Sequence, residues 1–99
     1  MKKTKSIVTK SAQDLAKALG LSPSDGIEIE LRSDLNDKII EVVKKRGLTH
    51  AQVAKLAGTS RTRVTALLNH NTHEISTDLM LRILVSLGIQ AKLHFKAAA

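Results

Sequence analysis

The stretch "HAQVAKLAGTSRTRVTALLNH", residues 50–70, constrains the fold more than any other part of the chain. It places one glycine between two short helix-forming segments and contains no acid, aromatic or proline. Two helices joined by a three- to four-residue turn and crossing steeply can approach closely only where the contact residues are small and the turn admits a positive φ. Ala54 and Gly58 stand where those demands fall, and Val64, ten residues after Ala54, is the apolar plug from the second helix. The spacing of Ala54, Gly58, Val64 and Leu67 predicts a helix-turn-helix. In that arrangement the second helix is presented to a DNA major groove while the first braces against the phosphates.

Charge points the same way. The chain has 99 residues and a formal net charge of +7, and the sign is unevenly distributed. Between Asp25 and Glu41 six acids face only Arg32 and Lys38; between Val42 and His73 there are six bases (Lys44, Lys45, Arg46, Lys55, Arg61, Arg63) and no acid. Such a block is an electrostatic footprint for a polyanion. Single-stranded nucleic acid is held largely by stacking on aromatic side chains, and Phe95 is the only aromatic residue here. Duplex DNA is the favoured polyanion.

The length fits a single domain with a small core. With no cysteine, neither a disulfide framework nor a thiolate metal site is available, which fits a reducing cytoplasm. The apolar runs fall short of the roughly 18 residues that span a bilayer, and the "MKKTK" start lacks the apolar segment of a signal peptide. The expectation is a soluble cytoplasmic protein with no membrane partner.

Along the chain, residues 1–30 read as a basic tail (Lys2, Lys3, Lys5, Lys10) followed by a short helix at 12–19, capped by Ser11 and closed by Gly20. Ser22 and Pro23 open the next segment. Ile27, Ile29 and Leu31 alternate like a strand, whereas Ile27, Leu31, Leu35, Ile39 and Val42 or Val43 recur at helical spacing; length favours a helix, secure over about 32–45 and ended by Gly47. Thr49 and Gln52 form a capping box, with Val53 and Leu56 on one face of the helix they start. Ser60 starts the next helix, which turns Val64, Leu67 and Leu68 inward. "NHNTHE" is a turn. "STDLMLRILVSLG" is a capped helix ending at Gly88, apolar from 79 to 87 except for Arg82 and Ser86, too apolar for a helix with one wet face. Ile89, Ala91, Leu93 and Phe95 then alternate with polar residues as one half-buried strand. A lone strand is unstable in water. The two features together predict a homodimer, with strands paired across a dyad and Leu81, Leu84, Val85, Ile89, Ala91, Leu93 and Phe95 at the interface.

"LTHAQVAKLAGTSRTRVTALLNH" resembles the helix-turn-helix of lambda-repressor-like (XRE) regulators, and "ISTDLMLRILVSLG" followed by a strand resembles the HigA-type antitoxins within that family. The resemblance covers about residues 31–96, so residues 31–99 are read as the DNA-binding domain with its dimerisation strand. It implies an all-α, lambda-repressor-like five-helix domain with a single C-terminal β-strand that pairs across a homodimer. It further implies a repressor that binds double-stranded operator DNA, autoregulates its own operon, and as an antitoxin neutralises a small basic RelE-like ribonuclease toxin. By position, Ser60 caps the recognition helix, and Arg61, Thr62, Arg63, Thr65 and Asn69 lie on or near its exposed face. Family members often carry Gln or Ser where this chain has Arg61 and Arg63. Arginine is the usual bidentate reader of guanine, so one of this pair is expected on a base edge and the other on a phosphate. Thr62 and Thr65 can reach a phosphate or a thymine methyl, and Thr49 and Gln52 are expected phosphate contacts at the start of the bracing helix.

Other chemistry is weak. His70 and His73 are three apart but lack a third ligand, so no metal site is expected; no cofactor is implied either. Glu28 with Glu30 and Asp34 with Asp37 are local pairs on a solvated helix, and no glycine-rich phosphate loop occurs. The chain reads as a binding protein and not as an enzyme. Two further readings stay open: a free-standing XRE-type regulator without a toxin, and a protein-interaction module in which acids 25–41 and the 12–19 helix grip a basic toxin.

Overall fold

The computed structural model describes residues 18–97. Among these are four helices, α1 (Pro23–Arg46), α2 (His50–Ala57), α3 (Arg61–Leu68) and α4 (Thr77–Ser86), and no strand. The chain divides into two compact units, Met1–Asp34 and Leu35–Ala99, where the sequence suggested a boundary at 30/31. The expected basic tail lies outside the described residues, as does the 12–19 helix except for its last two positions.

In the first unit Gly20 takes φ +78°, the left-handed conformation expected of a helix-closing glycine. Ser22 then starts α1: the Asp25 N–H donates to its Oγ at 3.2 Å, and its own N–H donates to Asp25 Oδ2 at 3.2 Å. Pro23 follows at the first helical position, where its missing N–H costs nothing. That start signal settles the ambiguity of Ile27, Ile29 and Leu31. They are helical, and the helix begins nine residues before its securely predicted part.

In the second unit the core is built from one stripe of each helix. Leu35, Ile39, Val42 and Val43 come from α1; Val53, Ala54 and Ala57 from α2; Val64 and Leu67 from α3; Leu79, Met80, Ile83 and Leu84 from α4; Ile75 and Leu87 close it. Lys44, Lys45 and Arg46 occupy the last turn of α1, where positive charge complements the helix dipole. Arg46 also donates from Nη1 to the Leu87 carbonyl at 2.7 Å, tying the end of α1 to the end of α4.

Three expectations change. Leu56 is exposed while Val53, Ala54 and Ala57 are buried, so the inward face of α2 is set by its small residues. The five-helix count is not supported: four helices lie whole within the described residues, with Ala18 helical at their edge. The expected strand at 89–95 has no regular structure, and Ala91, Leu93 and Phe95 are exposed. The physical reason is that a strand exists only through its ladder, and the described residues offer no other strand to pair with.

Candidate nucleic-acid interface

Thr49 sits at φ −82°, ψ 161° ahead of α2 and makes both halves of the capping box. The Gln52 N–H donates to Thr49 Oγ1 at 3.0 Å, and the Thr49 N–H donates to Gln52 Oε1 at 2.8 Å. Gly58 ends α2 at φ +67°, ψ 40°, and the Thr59 N–H returns to the Ala54 carbonyl at 3.0 Å. A Cβ built on Gly58 would meet nothing within 4 Å. The glycine is therefore favoured by its left-handed backbone, and the small buried residues of α2 are Ala54 and Ala57. Two residues on, Ser60 starts α3, its Oγ accepting from the Arg63 N–H at 3.1 Å. The link from α2 to α3 is thus the tight turn that the sequence required, and Val64 and Leu67 fill the space beneath it.

This geometry turns the first turn of α3 outward. Ser60, Arg61, Thr62 and Arg63 are exposed, and among the described residues no acid pairs with Arg61 or Arg63. The two guanidiniums beside a capped helix end, in a stretch of sequence with no acid from Val42 to His73, form a place where phosphates and base edges can be bound. Thr49 and Gln52 are exposed at the start of α2, but each side-chain oxygen already accepts from the other residue's backbone N–H. Asn69 is exposed and ends α3, its N–H bonded to the Thr65 and Ala66 carbonyls at 3.1 Å.

Thr65 departs from the expected exposed position. It is half-buried, and its hydroxyl lies 2.7 Å from His50 Nδ1. His70 and His73 go separate ways: Asn36 Nδ2 donates to His70 Nδ1 at 3.3 Å, while His73 Nε2 lies 3.7 Å from Glu74 in solvent.

The residues expected at a dimer interface divide. Leu81, Val85, Ala91, Leu93 and Phe95 are exposed, Phe95 at 89%. Ile89 is half-buried and its N–H donates to the Leu84 carbonyl at 3.2 Å. Leu84 is 2% exposed and belongs to the core of the chain, because it stands one turn from Met80 and next to Ile83 on the inward face of α4.

Sequence reasoning missed two features. Asn36 is 5% exposed, and its Oδ1 has no partner; the available signal was a polar residue on the register of Ile39 and Val43. The His50–Thr65 bond has a weaker signal, two polar residues at the inner edges of facing helices.

A family model described as a helix-turn-helix domain matches residues 19–96. No curated protein and no solved structure gives a match to the chain.

Proposed function

The chain belongs to the helix-turn-helix domain family, a family of DNA-binding regulators, and from that membership we propose a sequence-specific repressor that binds duplex operator DNA as a homodimer. The observation that carries this reading is the exposed, acid-free first turn of α3, where Arg61 and Arg63, behind the Ser60 cap, have no acid partner among the described residues. One arginine reads a base edge and the other a phosphate; Thr62 and Asn69 extend the contact, and Thr49 and Gln52 meet the backbone at the start of α2. No catalytic step belongs to this function. Among the described residues no helix is long and apolar enough to cross a membrane.

The homodimer is supported by Leu81 and Val85, one turn apart and both exposed on α4, together with the exposed apolar side chains of Leu93 and Phe95. Pairing of the 89–95 segments would supply the ladder that one protomer lacks. The finer reading, an autoregulating antitoxin that neutralises a small basic RelE-like toxin, is supported by the resemblance of residues 75–96 to HigA-type antitoxins.

The test is fluorescence anisotropy of a labelled duplex from the gene's own upstream region against a shuffled duplex, over a salt series. Specific binding near physiological salt with a steep salt slope is the expected result. Equal, salt-fragile binding to both duplexes would refute the autoregulatory reading. Co-purification with the product of the adjacent reading frame tests the toxin.

A further inference from the structure

The bond between His50 and Thr65 lies at the junction of the two helices that make the interface. His50 is the first residue of α2, Thr65 is the fifth of α3, and Nδ1 to Oγ1 is 2.7 Å. Both residues are half-buried, so the bond is partly shielded from competing water. The buried side chains of the two helices, Val53, Ala54 and Ala57 on α2 and Val64 and Leu67 on α3, are all apolar, and such surfaces resist separation but have little preference about rotation, since burial is not directional. A short hydrogen bond is directional. Arg61 stands four residues, one turn, before Thr65, so a roll of α3 about its axis would move its guanidinium away from whatever it reads.

We infer that His50 is a positioning residue that fixes the roll of the recognition helix through Thr65, so that the Thr65 hydroxyl orients the arginine pair and does not itself read a base. The inference rests on the DNA-binding reading above. The pairing is chemically robust: a threonine hydroxyl donates to an unprotonated Nδ1 and accepts from Nδ1–H, so the link survives either ring tautomer. It also differs in consequence from a direct contact. A base reader affects the one base pair that it touches, whereas a residue that sets helix roll affects every base pair the helix reads.

The experiment compares operator binding with binding to a panel of duplexes carrying single base-pair changes, for Thr65→Val, His50→Gln, both together, and the conservative variants Thr65→Ser and His50→Asn. Asparagine places its amide near the position of Nδ1, and glutamine places it near Nε2. Each disruptive single variant should lower discrimination by about three- to tenfold, the size of one net hydrogen bond, across the whole panel, while keeping a cooperative melting transition at a somewhat lower midpoint. The double variant should lose no more than either single one, and Thr65→Ser and His50→Asn should restore discrimination. A Thr65→Val loss confined to one base pair, additive losses in the double variant, or wild-type discrimination in both singles would overturn the inference while leaving DNA binding intact. Absence of specific binding by the wild-type protein would remove the DNA reading and this inference with it.

Discussion

Helices α2 and α3 are eight residues each, and residues 89–97 form a segment of nearly the same length with an equally regular apolar pattern. An isolated helix of eight residues is far below the length at which helices hold in water. Yet α2 and α3 are fully formed, because each has a capped start, a defined stop and an apolar stripe that its own chain covers. The segment after Gly88 has its pattern, but beyond the half-buried Ile89 the described residues leave it uncovered, and Phe95 stands 89% exposed. An apolar period identifies the side that wants burial; whether that burial happens depends on whether the rest of the chain supplies a surface.

The comparison breaks hardest at Leu67, which is 1% exposed. Leu67→Ala should cost about 2–5 kcal/mol in urea denaturation, and an effect below that range would mean that the α3 stripe contributes less than its burial implies. Arg61→Ala or Arg63→Ala should leave that transition in place and weaken operator binding by about 1–3 kcal/mol, with relaxed specificity for the base-reading one; two variants that bind as wild type does would separate the exposed arginines from function. Gly58→Ala should destabilise by about 1–2 kcal/mol through its left-handed backbone, and Gly58→Asn by less. Thr49→Ala should cost about 1 kcal/mol through the lost cap, read as a lower urea midpoint with an unchanged slope. At the other end of the scale, Leu93→Pro should change the stability of the protomer by less than about 0.5 kcal/mol but convert a dimer to a monomer in sedimentation. A dimer that persists would place the interface elsewhere.

The turn motif was legible in the sequence because its signals are local. Thr49 with Gln52, the Ser60 cap and Gly58 at the turn each act within three or four residues, so the boundaries of α2 and α3 follow from short-range chemistry. The start of α1 was less clear, since Ile27, Ile29 and Leu31 satisfy a strand period and a helix period together; only the Ser22 cap with Pro23 decides. The inward turn of Leu84 and the outward turn of Leu56 depend on which neighbour each helix meets, and periodicity alone does not rank two apolar faces of one helix. For the interface, Arg61, Thr62 and Arg63 could be placed from position in the motif, whereas the engagement of Thr65 with His50 spans fifteen residues and has no local signature. Asn36 is similar. Its Nδ2 reaches His70 thirty-four residues away, and its unpaired Oδ1 carries a desolvation penalty of about 1–3 kcal/mol that a helical wheel does not show.

The bond from Arg46 to the Leu87 carbonyl has a mechanical meaning. The last turn of α1 leads through a short link into α2, and Leu87 caps α4 just before Ile89, whose N–H is still bonded to the Leu84 carbonyl. With those two points held together, a pull on residues 89–97 is delivered at the base of the turn motif rather than absorbed by a loose joint. Two protomers gripping one another by these segments would act as a stiff calliper: the separation of their recognition helices would be a property of the protein, and DNA sites would be selected by the spacing of their halves as well as by their bases.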